Sequence, residues 1–356
     1  MFTDSRLIAV ILSVSAALAG PTSAQTTPRY ALTILGLVQH NYTTSVFAPL
    51  SINDNGVVAG YAKVKVPHNP QQSVRGVEWQ SSSPHYTILG TISEDPGQDS
   101  EATWINNLGI AVGFSNEHLG SNLYSAHPVM FTANGIVNLG VKNAKEGFAT
   151  GINNASQGVG YLDFDMPVPA SEAFLYQNGM MTMLGYPVPT IGYSIANAIN
   201  NNGLIVGSAT FSTGAKPHAA SYANGVWTDL GTPGSGTNYG SSASSVNDSG
   251  AIVGLWTDSV EIYPSVFLYQ NGQITDLGAL AGSATPPVIN NAGQIVSAWF
   301  VYDNGTWWDL HNVIIPNGHW RISGATAVNN QGVIACTIFD NLSRHRAGLL
   351  TPVNSN

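Results

Sequence analysis

One cysteine, Cys336, occurs in the sequence, which excludes an intramolecular disulfide. Charge is also scarce. Asp, Glu, Lys and Arg make up 9% of the 356 residues, against about 25% in ordinary domains. Gly, Asn, Ser and Thr must therefore supply most of the polar surface, which suits a turn-rich β-protein. The few charges comprise 20 acidic and 11 basic residues, a net charge of −9. The basic stripe that nucleic-acid binding requires is missing. Beyond the N-terminus no apolar run approaches the roughly 20 residues of a membrane-spanning helix. Catalytic and metal signatures are lacking too: there is no G-x-S-x-G elbow, no H-E-x-x-H and no Cys/His zinc spacing. A calcium loop needs acidic residues at alternating positions, and Asp54 and Asp248 stand alone in their turns. No metal and no cofactor is expected.

At the N-terminus Arg6 precedes an apolar run over residues 7–18, and small residues at 21–24 precede Gln25. This pattern predicts a secretory signal over 1–24. Residues 25–356 are then one domain, exported to the extracellular or periplasmic space and expected to be monomeric.

A nine-residue phrase recurs seven times: INDNGVVAG from Ile52, INNLGIAVG from Ile105, INNASQGVG from Ile152, INNNGLIVG from Ile199, VNDSGAIVG from Val246, INNAGQIVS from Ile289 and VNNQGVIAC from Val328. Its asparagines, Asn53, Asn106, Asn153, Asn200, Asn247, Asn290 and Asn329, are 53, 47, 47, 47, 43 and 39 residues apart. A period near 45 signals a propeller, solenoid or array. Cys336 replaces the last glycine of the seventh phrase and reads as a small buried thiol.

The fourth repeat shows the grammar. A strand over 194–199 meets a turn at Asn200–Gly203, since Asn and Gly tolerate left-handed dihedrals. A second strand covers 204–209 and a third 218–222. Asn224-Gly225 is a hairpin signal, and a fourth strand over 226–230 stops at Gly231. The other repeats keep these devices. The aromatic ending strand three recurs at Trp79, Phe131, Tyr176, Tyr222, Tyr269 and Tyr302. Asn-Gly recurs at Asn134, Asn178, Asn224, Asn271 and Asn304, and Leu-Gly closes strand four at Leu35, Leu89, Leu139, Leu184, Leu230 and Leu277. Four residues before the key Asn, five repeats carry alanine, as a crowded innermost strand requires. Seven four-stranded antiparallel repeats predict an all-β, seven-bladed β-propeller. An orphan fourth strand over 30–36 and an orphan third strand over 348–352 would pair to complete blade seven and remove its open edges.

With these motifs in hand, the chain resembles the extracellular HAF-repeat proteins, whose repeats read A-x-x-IN-x-x-G-x-VVG, then HAFLW-x-NG, then DLG. The resemblance covers residues 30–353 and extends to the family's terminal repeat through Trp308-Asp-Leu310, Ile315-Pro316, Trp320 and 349–352. His311 stands where Gly or Asn is usual, and Gly348 where Phe is expected. The resemblance implies secretion and a binding or surface role, and supplies no catalytic residues.

A polar residue confined to one repeat is a better functional candidate than one that returns in every repeat. Connections from strand two to three and from strand four to the next strand one leave the ring on the same face. They are predicted to be long and irregular, at 63–74 and 116–126 among others, and such loops carry binding residues. Eight of the nine histidines belong to this face, the exception being His85, as do most acids. The leading expectation is a secreted, non-catalytic propeller that binds an extracellular ligand there, most plausibly a glycan. Tyr193, Tyr239 and Trp320 offer flat apolar platforms with polar tips. Asp163 and Asp165 would point the same way along an extended segment, and Glu101, His311, His319 and Arg321 complete the candidate set. A polysaccharide lyase is the enzymatic alternative, with His319 or His218 as base, Tyr193 or Tyr239 as acid and Arg321 against the substrate carboxylate. A protein-interaction scaffold is the third.

Overall fold

The computed structural model describes residues 27–353 apart from 37–46, 66–71, 81–82, 84, 94–97, 121–122, 166–169, 190–191, 235–238, 258–263, 281–284, 316–318 and 343–344. The expected signal segment over 1–24, and His40 and His68, lie outside the described residues. Those described form seven four-stranded antiparallel sheets, each in the spatial order of a propeller blade. Blades one to six span 47–90, 100–138, 146–183, 194–231, 240–279 and 288–309. Blade seven combines Arg321–Val328, Ile334–Phe339 and His345–Pro352 with Tyr30–Ile34 from the other end of the chain. In that last pairing Tyr30 faces Pro352 and Ile34 faces Gly348. Blade four runs Ser194–Ile199, Ile205–Ala209, His218–Ala223 and Val226–Gly231, within a residue of the predicted strands.

The recurring asparagine holds the ring together at its axis. Asn200 Oδ1 accepts from the backbone N–H of Asn202 and of Leu204 at 3.0 and 2.9 Å, which closes its own turn. Its Nδ2 donates to the carbonyl of Asn247, the same position in the next blade, at 2.9 Å. Each key asparagine repeats that donation in the same rotational sense at 2.9–3.1 Å, and Asn329 donates to Asn53 to complete the circle. A second circle runs beside it. The N–H of each following residue donates to the side-chain oxygen of its counterpart one blade on, at 2.8–2.9 Å, ending with Asn330 to Asp54. Buried amides must find partners, and the seven asparagines, 3–5% exposed, find them in each other's backbones.

Strand two explains the glycine that ends the phrase. A Cβ on Gly60, Gly113, Gly160, Gly207 or Gly254 would collide with a strand-one carbonyl oxygen of the same blade. Bulky partners fill the space that the glycine leaves: Gly160 pairs with Phe174 and Gly254 with Phe267, both phenylalanines fully buried. Blade seven reverses the sizes, pairing Cys336 with Gly348. Its first strand also carries a second irregularity between Ile322 and Gly324, which relieves the close approach. Gly348 is thus small where blades three and five have Phe174 and Phe267, because the thiol occupies that volume. Burial pushes the Cys336 pKa up to about 12, so it is held as an unreactive thiol.

Strand one has a bulge in six blades, at Leu50, Thr103, Thr150, Asn197, Ser244 and Thr326. These extra side chains line the central channel. In blade six Pro286 and Pro287, which lack an N–H, shorten the strand to Val288–Ile289.

Two expectations about connections are corrected. In their described parts, 63–65 with 72–74 and 116–120 with 123–126, these connections are paired strand rather than irregular loop: Lys65 pairs with Gln72, and the blade-two ladder runs out through His118–Tyr124 to Gly120–Leu123. Extended pairing continues where side chains opposite one another interact, as in the His118–Tyr124 ring stack at 4.9 Å. The Asn-Gly hairpins at Asn178, Asn224, Asn271 and Asn304 have positive φ at both residues, the type I′ geometry that suits strand twist. Asn134 differs, because Gly135 there pairs back to Thr132.

Candidate functional site

On the face that carries the two-to-three and four-to-one connections, a cleft of about 630 Å³ opens between blades three and four. Its wall in blade three is the pair of strands Glu146–Ile152 and Gly158–Phe164. Asp163 and the next-but-one residue, Asp165, both line the cleft, and Glu146 pairs with Asp163 in register. Ser171 lies opposite Asp163 and donates its hydroxyl to Asp163 Oδ1 at 2.6 Å, which fixes the carboxylate's orientation. Across the cleft Tyr193 forms a bridge with Ser171, and its hydroxyl lies 3.4 Å from Ser208 Oγ. Phe164 and Ala170 supply the apolar part of the lining. Lys145 approaches Asp165 at 3.6 Å with both side chains more than half exposed, a pair worth little in stability.

The tyrosines remain proton donors. Burial raises the Tyr193 pKa, the Ser208 hydrogen bond opposes that rise and Asp163 adds to it. Tyr161 is raised first by burial and then by Asp163, Tyr193 and Glu146. Tyr161 ends a row of rings, Phe114, Phe148 and Tyr161, with centroids 5.4 and 5.5 Å apart. This row runs from blade two into blade three.

The other candidate residues are placed elsewhere. His218 opens strand three of blade four and holds Asp229 at 3.0 Å. His127 has the same place in blade two, between Asn138 at 3.1 Å and Glu117 at 3.0 Å. His218 thus stands at the start of its strand, whereas His127 is buried in mid-strand because blade two is extended. His311 uses both ring nitrogens, one on Asp309 at 2.8 Å and one on the Ile322 carbonyl at 3.1 Å, tying blade six to blade seven. His319 and Arg321 are exposed at the start of blade seven's first strand, and Trp320 packs on the core between blades six and seven. Tyr239 lies against Trp256, ring centroids 6.0 Å apart. Glu101 lies in strand one of blade two; burial and then Asp99 raise its pKa. The structure therefore gathers Tyr193, Asp163 and Asp165, and separates His218 from Arg321 by three blades. Among the described residues no three His, Cys, Asp or Glu side chains cluster in a way that could hold a metal ion. No helix of the described residues is long and apolar enough to cross a membrane.

The channel holds a residue that motif reasoning passed over. Trp104 lines both a small cavity bounded by the asparagine turns and a larger chamber of about 390 Å³ toward the loop face. It packs against the clusters that contain Ile152 on one side and Val288 and Val328 on the other, so its indole divides the channel. The equivalent positions are Ser51, Gly151, Ala198, Ser245, Val288 and Ala327. A lone tryptophan among them is the signal that could have marked it.

No family model matches the chain, and no curated protein matches it in sequence. Its fold is similar to that of solved propellers. The β-propeller domain of the Trilobed protease from Pyrococcus furiosus, described as having an open velcro topology, superposes with a TM-score of 0.56 at 9% identity, over 86% of this chain and 93% of that one. An oligogalacturonate lyase in complex with manganese gives 0.53 at 10% identity, over 87% and 91%. TolB from Acinetobacter baumannii gives 0.43 at 12%, over 85% of this chain and 64% of its own. At these identities the likeness establishes the fold alone: the chain is a seven-bladed β-propeller of four-stranded antiparallel blades.

Proposed function

We propose that this protein is a secreted, non-catalytic propeller that binds an extracellular glycan in the cleft between blades three and four. The observation that carries the reading is the convergence of Tyr193 with the Ser171-oriented Asp163 and with Asp165 in a cleft of about 630 Å³. A protonated tyrosine with one apolar face and a hydroxyl tip suits a sugar ring. Oriented carboxylate oxygens accept hydrogen bonds from sugar hydroxyls. Pockets of this size with a few placed polar groups are the usual form of small-ligand sites. Export rests on the N-terminal pattern, and a mature N-terminus at Gln25 in the culture medium is its check.

The test is a glycan-array screen followed by calorimetric titration of the best binder. Tyr193→Ala and Asp163→Asn are each expected to weaken binding about tenfold or more, equivalent to about 1.4 kcal/mol, and His311→Ala to leave the affinity unchanged. No glycan binding would remove this reading in favour of a protein partner. Turnover of a polysaccharide abolished by Arg321→Ala or His319→Ala would replace it with the lyase.

A further inference from the structure

We infer that the chamber above Trp104 is a second site, which takes a small organic cation bearing N–H donors, a primary ammonium. It lies on the channel axis, apart from the cleft, and does not depend on the glycan reading. The bulge residues of strand one decide its chemistry. Thr103 donates its hydroxyl hydrogen to the carbonyls of Val112 and Ala149, at 3.0 and 2.8 Å. Thr150 donates to Val159 and Ala196 at 3.2 and 2.7 Å, Ser244 to Val253 and Pro287 at 3.3 and 2.5 Å, and Thr326 to Ala335 at 3.2 Å. A hydroxyl has one hydrogen, and carbonyls only accept. Each of these four oxygens, on residues that line the chamber, therefore has only lone pairs left to offer. Asn197 directs Nδ2 at Ser242 Oγ and the Ala243 carbonyl, at 3.3 and 2.7 Å, and this leaves Oδ1 as an acceptor.

Five lining residues from five blades thus keep an acceptor oxygen beside one indole and the apolar Leu50, Leu255 and Val288, and no basic side chain is among the lining residues. An ammonium supplies three donors to such a surface, and its charge is attracted to the face of a tryptophan. An anion would meet lone pairs and a protein of net charge −9. The volume, about 390 Å³, suits an organic ion.

The experiment is calorimetric titration of the whole mature protein with n-butylammonium, tetramethylammonium, glycerol and butyrate. n-Butylammonium is expected to bind with 1:1 stoichiometry, at least tenfold tighter than tetramethylammonium, which has no donors, and butyrate to give no binding. Thr150→Val, which keeps the side-chain shape and removes one acceptor, is expected to weaken binding severalfold, and Trp104→Leu about tenfold. Tyr193→Ala, in the cleft, is expected to leave it unchanged. Equal affinity for the two ammonium ions, tighter binding of glycerol, or an unaltered Thr150→Val affinity would overturn the proposal.

Discussion

A single methyl group separates the tolerated from the excluded at the end of five of the seven phrases. Gly207 has Ile195's carbonyl oxygen where its Cβ would be, whereas Cys336, at the same repeat position, has its Cβ accommodated beside Gly348. Gly207→Ala is therefore expected to lower stability by about 3 kcal/mol, because two backbones rather than two flexible side chains must separate. Cys336→Ala, which leaves a small void, is expected to cost about 1 kcal/mol. Urea midpoints of the two variants check both, and similar losses would show that the close approach does not govern the position. The contrast was half visible in the sequence: Cys336, like Ser297 in the sixth phrase, stood out against the five glycines. Its compensation at Gly348 did not, because size complementarity between strands two and three depends on register.

Among elements, the strand Tyr30–Ile34 is the one most separated in sequence from its partner. It covers the edge of His345–Pro352, with Tyr30 only 1% exposed and the Leu35 N–H donated to the Ala347 carbonyl at 2.9 Å. Deleting residues 27–36 uncovers a long paired edge but leaves every member of the asparagine circle in place. The expected result is a propeller that still folds, with a melting temperature lowered by roughly 5–10 °C and a tendency to self-associate in size-exclusion chromatography. Unchanged melting and a monomeric profile would show that this strand does not close the blade. Strand positions were legible to within a residue or so where the phrase, the aromatic and the Asn-Gly turn all recur, as in blade four. Legibility failed where local devices were missing. The extension of blade two beyond Asn116 carries Gly120-Ser121-Asn122 as its turn residues, but its flanks lack the apolar alternation that would mark them as strand. The shortening of blade six follows from two prolines whose effect on pairing depends on which strand they enter. The cleft was legible in part, through the spacing of Asp163 and Asp165. Its partner Ser171 was not, since that contact is set by pairing register.

At the scale of the whole molecule, the turn face is a network of amides with two carboxylates set into it. Asp248 accepts from the backbone and side chain of Asn201 at 2.9 Å each and from Asn291 Nδ2 at 2.8 Å. Burial works to raise its pKa, and these three bonds outweigh it, leaving the group below its ordinary 3.8. A depressed folded-state pKa means that the unfolded chain binds the proton more readily, so stability is fully present above 3.8 and falls as the pH drops through the folded value. Urea unfolding from about pH 6 down to about pH 2.5 should show this acid loss, and Asp248→Asn should flatten it. An equally steep loss in the variant would assign the effect to other carboxylates.

The asparagine circle also has a bearing on how such a chain can change over evolutionary time. Each amide reaches a carbonyl one seventh of a turn away, and the last link spans 276 residues back to the first. Duplicating or losing one repeat would alter the angle at every link at once, so all seven bonds would have to re-form together. Repeats can drift in loop length, as the spacings of 39 to 53 residues attest, because loops lie outside the circle. Copy number has no such latitude, and the same residue that punctuates each repeat also counts them.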